Sequence, residues 1–315
     1  MKSSATAKKK SISPGAFVVN ELKRHWQLYV MLILPLTYLI IFAYIPMGGV
    51  IIAFKDYSIR GGIWGSDWVG FEHFINFFKT PDFVKLLRNT LILSLYNLVI
   101  TFPMPIILAL AVNELKSKAY KKVVQMVTYM PYFISTVVLV GTMKNIFSPR
   151  TGLINNIIAL FGGAQTDFMG NPDLFRTMYV WSGVWQGMGY SAVIYIAALA
   201  NVDSSQVEAS LMDGAGRFAR VWHVDLPAIM PTIVIQLILA VGSVMSLGYE
   251  KVFLMQNPVN TEVSEVISTF VYKRGIVGFQ YSYSAAVGLF NSVVNLVLIA
   301  LANIFAKKVG ETSLW

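Results

Sequence analysis

Residues 208–227 read Glu208-Ala209-Ser210-Leu211-Met212-Asp213-Gly214-Ala215-Gly216-Arg217-Phe218-Ala219-Arg220-Val221-Trp222-His223-Val224-Asp225-Leu226-Pro227. They form a polar island between two apolar runs. Their chemistry predicts a short helix, a glycine turn, a second short helix and the start of a membrane helix. Ser205 is placed to cap the first helix, with Glu208 three residues on completing a capping box. Gly214 and Gly216 end it, because glycine accepts the positive φ that a helix C-terminus often requires. Val207 and Leu211 share one face, and Asp203, Glu208 and Asp213 decorate the rest. Pro227 falls at the start of the next helix, where its missing N–H is harmless, while Pro231 bends that start. The predicted product is a helical knob at a membrane surface.

The surroundings make the contrast meaningful. Of 315 residues, 56% are hydrophobic and 13% charged, and the mean hydropathy is positive. Such a chain belongs in a bilayer, where about 20 apolar residues make one helical span. The absence of cysteine excludes disulfides, thiolate nucleophiles and thiolate metal sites. His25, His73 and His223 are isolated and form no ligand motif. A net charge of +9 would point to nucleic acid in a soluble protein; here it sits mainly beside the apolar runs and reads as an orientation signal.

An all-α membrane protein with six transmembrane helices is expected. Residues 1–27 form a basic cytoplasmic arm, with Lys2, Lys8, Lys9, Lys10, Lys23 and Arg24. Residues 28–54 form the first span, kinked at Pro35 and Pro46. Residues 55–86 form an external loop whose amphipathic piece at 71–78 lies in the interface. The core, residues 87–306, holds spans at 87–115, 123–147, 176–200, 226–249 and 281–306. The segment 153–161 is too short to cross, and residues 250–280 read as a polar loop with an amphipathic helix at 263–272. A cytoplasmic tail, 307–315, closes the chain. Six spans place the basic arm, the four lysines between Lys116 and Lys122, the island at 201–226 and Lys307-Lys308 on one face, the cytoplasmic one.

The island resembles the EAA loop of importer-type ABC permeases. The resemblance rests on Glu208-Ala209-Ser210, Asp213-Gly214-Ala215 and the Leu226-Pro227 that ends nineteen residues after the glutamate. Gly216-Arg217-Phe218 and Trp222-His223 are similar to the oligosaccharide branch, the maltose, alginate and lipoprotein-associated sugar permeases. Ser210 stands where alanine is usual, and Val221 where phenylalanine is. The resemblance implies a type I ABC importer permease fold in a prokaryotic cytoplasmic (inner) membrane, with both termini cytoplasmic. It also implies that a cytoplasmic coupling helix docks into a separate ATPase. Glu208, Ala209, Ser210, Asp213, Gly214, Ala215, Gly216 and Arg217 would carry that coupling. The implied partners are a second homologous permease, two copies of an ABC ATPase, an extracellular or periplasmic sugar-binding protein and the surrounding lipid. This chain would need no cofactor, since ATP and Mg belong to the ATPase.

Polar residues recur at helical spacing inside two spans: Thr90, Ser94, Asn97 and Thr101 in one, Ser284, Gly288, Asn291 and Asn295 in the other. Each stripe faces either neighbouring helices or a wet cavity. Gly183 and Gly187 form a Gly-x-x-x-Gly pair suited to close helix packing. In the same helix, Trp185, Gln186 and Tyr190 look like the sugar-lining helix of the maltose-type relatives. Aromatic faces stack on sugar C–H surfaces while amides and phenols exchange hydrogen bonds with hydroxyls. By period and depth, Ser243, Ser246, Tyr249 and Glu250 are candidates for the opposite wall, with Asn97 and Asn291 beside them.

No phosphate loop, His-Glu-x-x-His motif or Gly-x-Ser-x-Gly motif is present, so the chain carries neither its own ATPase nor a recognisable hydrolase site. No membrane carboxylate is placed to relay protons, which argues against a proton-driven carrier. Two rivals stay open: a permease of the same architecture for an amino acid or phosphate, and an ion-driven carrier or membrane enzyme acting alone.

Overall fold

The computed structural model describes residues 21 and 23–309, so most of the expected N-terminal arm and the end of the expected tail lie outside the described residues. Helix α1 (Trp26–Phe54) is apolar on every side, contains Pro35, passes through a π turn at Ile40–Tyr44 and tightens to 3-10 geometry from Gly48. Of its residues only Ala53 is buried, the condition of a helix that meets lipid.

A small ribbon of β1 (Lys55–Asp56) and β2 (Asp67–Trp68) pairs Lys55 with Trp68, and Phe54 stacks on Trp68 with ring centroids 5.7 Å apart. Helix α2 (Glu72–Lys79) follows. The sequence suggests that it lies flat in the interface, and in the structure it packs on the last helix. Phe77 is buried among Phe83, Phe290 and Tyr283 at centroid separations of 5.1, 5.6 and 6.4 Å, a contact contributing about 1.5–3 kcal/mol.

The body is built on α3 (Phe83–Asn113), α7 (Pro172–Leu199), α9 (Arg217–Gly242) and α13 (Tyr281–Val309). Helix α7 packs against α3 and α9, and α13 against α9. Helices α1, α3, α9 and α13 are long and apolar enough to cross a membrane. At 28 residues α7 has the length. It lacks the apolarity, carrying Ser182, bonded to its own backbone, Gln186, bonded to Ile134, and Ser191, which lines a cavity.

Two expectations about span continuity are corrected. The third span is a pair, α4 (Lys118–Phe133) and α5 (Thr136–Ile146), bent by 97°. Pro131 interrupts the helical hydrogen bonding there, Ser135 caps α5 by accepting from the Val138 N–H, and Gln186 Nε2 of α7 donates to the freed Ile134 carbonyl at 2.8 Å. The short α6 (Leu153–Leu160) follows, as expected of a segment too short to span.

The fifth span stops at Gly242 rather than Tyr249. Residues 249–277, expected as a polar loop, fold into a buried insert of α10 (Tyr249–Met255), α11 (Thr261–Ser264), α12 (Ile267–Tyr272) and a π turn at Lys273–Val277. Val252, Met255, Val266, Ile267 and Phe270 are buried in it. Asn260, fully buried, ties the insert together by donating to the Met169 and Met255 carbonyls at 3.1 Å each. Asn89 of α3 donates to the Glu262 and Glu265 carbonyls at 2.8 and 3.1 Å. The apolar residues of this segment are irregularly spaced, which hides a core element in sequence.

The close-packing glycine is also not the one expected. Gly187 has nothing within 4 Å of where a Cβ would sit, and Gly183 meets only Lys251 Nζ, at 3.3 Å. Gly189 lies on α4, a Cβ there falling 2.0 Å from the Thr128 carbonyl oxygen. Gly189→Val should therefore lower the melting temperature of the purified protein by several degrees. Gly187→Ala should leave it unchanged or raise it, since alanine favours an open helical site by up to about 1 kcal/mol; equal effects would contradict this packing.

Candidate functional site

The knob forms as helix α8 (Ser204–Met212). It starts two residues earlier than the Ser205 capping box requires, with Asp203 as N-cap. Asp203 Oδ1 accepts from the Ser205 N–H at 2.9 Å, and that bond holds its carboxyl below the usual carboxylate range. Glu208 is left exposed on the second turn. The C-terminus closes as a Schellman motif: the Ala215 N–H reaches the Ser210 carbonyl at 2.9 Å and the Gly214 N–H the Leu211 carbonyl at 3.1 Å, with Gly214 at φ 75°. Gly216 does something else. At φ −69° and ψ 168° it is the extended N-cap of α9.

Arg220, on the first turn of α9, forks onto both carboxylate oxygens of Glu114 just beyond α3, with 17% of each side chain exposed. The π turn Val221–Asp225 then leads into the membrane part of α9 and buries Asp225. The knob is thus pinned to the end of a transmembrane helix. Sequence reasoning missed this pair because Glu114 lies more than a hundred residues upstream. Around the knob Met212, Phe218 and Trp222 are 88%, 92% and 67% exposed. Large apolar side chains on a polar loop mark a docking face; their presence within the island was the available signal.

Three helices enclose a cavity of about 830 Å³ lined by Ser94, Asn97 and Thr101 of α3, Tyr190 and Ser191 of α7, Gln236 of α9 and Ser243 and Ser246 just after it. Every lining side chain is uncharged. Three members of the first polar stripe therefore face this space, while Thr90 is buried, donating to the Leu86 carbonyl and accepting from the Ile267 N–H. The structure brings Asn97, Tyr190, Ser243 and Ser246 together there, and Tyr190 lies flat on Tyr132 at 3.9 Å between centroids.

The other expected path residues are elsewhere. Trp185 lines an apolar groove between α5 and α7, and Gln186 is spent on the Ile134 carbonyl. Tyr249 stacks on Tyr272 at 4.7 Å, and Glu250 is exposed. Asn291 Nδ2 donates to the Met245 carbonyl at 3.0 Å. The second polar stripe is mainly a clamp: Asn295 accepts from the Met245 N–H at 3.0 Å and donates to Ser246 Oγ at 2.6 Å. The fold buries or half-buries carboxylates that the sequence did not flag: Glu114 and Glu265 are held in ion pairs with Arg220 and Lys273, while Asp225 is buried with its Oδ2 unpartnered. Among the described residues no group of His, Cys, Asp and Glu could hold a metal.

Residues 89–311 match the family described as the binding-protein-dependent transport system inner membrane component. The chain belongs to this family. Protein LplB of Bacillus subtilis strain 168 is 48% identical over 294 residues, spanning 93% of this chain and 92% of LplB. The polygalacturonan/rhamnogalacturonan transport system permease protein YteP of the same organism is 45% identical, over 91% of this chain and 90% of YteP. Among solved structures, a bacterial alginate ABC transporter in complex with an alginate pentasaccharide-bound periplasmic protein superposes with a TM-score of 0.85 at 36% identity, over 94% of this chain and 99% of that one. The family fixes the type I importer permease fold and the role of inner-membrane component of a transport system.

Arg220→Ala leaves Glu114 as a nearly buried, unpaired charge and should destabilise the protein by about 3 kcal/mol or more. The exchanged pair, Glu114→Arg with Arg220→Glu, should recover part of that loss. Thermal melting of the three variants checks it, and an Arg220→Ala protein as stable as the native one would contradict it.

Proposed function

We propose that this chain is the membrane-spanning permease subunit of an ATP-driven, binding-protein-dependent importer of an oligosaccharide. The observation that carries the reading is an order in the chain. Helix α7 ends at Leu199, the coupling helix α8 occupies Ser204–Met212, and α9 begins at Arg217. Both α7 and α9 line the cavity. A force applied to α8 therefore moves two cavity walls at once, and a rigid, doubly capped helix transmits displacement with little loss.

In this mechanism ATP closes a pair of ATPase subunits, the knob follows, and the cavity opens outward to take sugar from an external binding protein; hydrolysis resets it. ATP and Mg are bound by the ATPase, and this chain needs no cofactor. A second homologous permease supplies the other half of the path. Six spans, with α7 and the bent α4–α5 pair counted as one each, put both termini and the coupling loop on the cytoplasmic side, in line with the lysines at 116–122 and 307–308.

The oligosaccharide assignment draws on chemistry and on relatives. Hydroxyls, amides and aromatic faces line the cavity, and Ser94 Oγ in its wall is buried without a hydrogen-bond partner. Relatives named for arabinooligosaccharides and diacetylchitobiose extend over most of the chain. A phosphate ester, as in the sn-glycerol-3-phosphate relative, would call for cationic groups, and the cavity wall has none.

The test is uptake by proteoliposomes holding both permeases and the ATPase, with binding protein outside and ATP inside. Labelled oligosaccharide should accumulate only when all are present. Glu208→Lys, a change on an exposed surface, should cut uptake more than tenfold without loss of folded protein. Uptake driven by an ion gradient without ATP would overturn the proposal.

A further inference from the structure

The foot of α9 gathers two carboxylates around one guanidinium. Arg220 forks onto Glu114, while Asp225, further along the same helix, is 2% exposed and its Oδ2 has no hydrogen-bond partner. Asn113, the last residue of α3, is hydrogen-bonded to the Asp225 carboxyl, and Glu114 and Arg220 are both near enough to act on its charge. A buried carboxylate without a countercharge is costly. Here the cation that would relieve it is close by and engaged elsewhere.

The two pairings open to Arg220 differ in what they join. Arg220 with Glu114 ties the first turn of α9 to the end of α3. Arg220 with Asp225 would lie wholly within α9. The stretch between them, Val221–Asp225, is a π turn in which the Leu226 N–H reaches back to the Val221 carbonyl. Its i→i+5 bonding brings residues five apart toward one face, where a regular α-helix pairs residues three or four apart, and π turns are frequent at functional sites. The wide turn thus sets Asp225 below Arg220 as a second acceptor.

We infer that Asp225 is the second position of a latch: Glu114 holds Arg220 at rest, and Arg220 passes to Asp225 when the knob is drawn, so that α8 and α9 move free of α3. This rests on the coupling described under Proposed function. A guanidinium suits the exchange, because it stays charged throughout and presents a fixed fork of donors to either carboxylate. Breaking one pair is offset by making the other, which keeps the two positions close enough in energy for the ATPase to choose between them. Asp225 touches no sugar; it is a positioning residue.

The chain has no cysteine, so Ser205→Cys on the knob and Lys116→Cys just beyond α3, both exposed, give a specific pair of sites for spin labels. The labelled permease is assembled in nanodiscs with cysteine-free partner subunits, and the label-to-label distance is measured by pulsed electron paramagnetic resonance with and without a non-hydrolysable ATP analogue. With Glu114 and Asp225 intact, the analogue should shift the distance. Asp225→Asn should lower the ratio of shifted to resting populations about tenfold in the presence of the analogue, and Glu114→Gln should raise it about tenfold in its absence, a coupling of ordinary size. A merely structural role gives no such opposition of sign. Asp225→Asn, which removes an unpaired buried charge, should also melt at or above the native temperature, so its result decides the matter even where Glu114→Gln folds poorly. Populations unchanged by Asp225→Asn, or shifted in the same direction by both substitutions, would overturn the latch and leave the coupling reading intact. A distance blind to the analogue in the otherwise native complex would sink both.

Discussion

Inside a bilayer, every backbone N–H and C=O must find its partner within the protein, because an unpaired one costs several kcal/mol. This protein interrupts its helices at residues 130–135 and 243–248, and each interruption frees backbone groups. Side-chain amides meet that demand. Gln186 takes the Ile134 carbonyl, Asn291 the Met245 carbonyl and Asn295 the Met245 N–H. Asn89 and Asn260 do the same for the insert. An amide suits the work because one planar group both donates and accepts without charge.

The two breaks flank the cavity between α3, α7 and α9. Tyr132, from the first, lies against Tyr190 of the cavity wall; Ser243 and Ser246, from the second, are part of that wall. A continuous helix would fill these places with its own backbone. Clamped breaks allow helix ends to face a wet space while α7 and α9 remain continuous, as the proposed coupling requires. Arg220 and Glu114 complete the linkage at the other end, joining the loop to α3, the third wall.

The sequence carried the coupling loop well. Glycine, acid and proline spacings at 208–227 are local rules, and Gly214 took the positive φ they demand. It carried the stripe Ser94, Asn97 and Thr101 equally well, since helical period alone puts those residues on one face. It could not show distant partners. Asn291 and Gln186, expected on the substrate path, give their amide nitrogens to carbonyls 46 and 52 residues away. Residues 250–280 read as a polar loop with one amphipathic helix at 263–272, part of which forms as α12; the burial of the rest comes from packing on α3, α5, α7 and α13, not from any periodicity of its own. Gly189 was passed over for Gly183 and Gly187, because a spacing motif shows which glycines could pack closely but not which face meets a neighbour.

The central claim is that amide side chains hold the helix breaks in place, and amide hydrogen exchange of residues 243–248 in an Asn295→Leu protein tests it most directly. The account predicts exchange at the Met245 N–H at least tenfold faster than in the native protein, with α3 and α7 unchanged. Protection of Met245 equal to that of the native protein would contradict it.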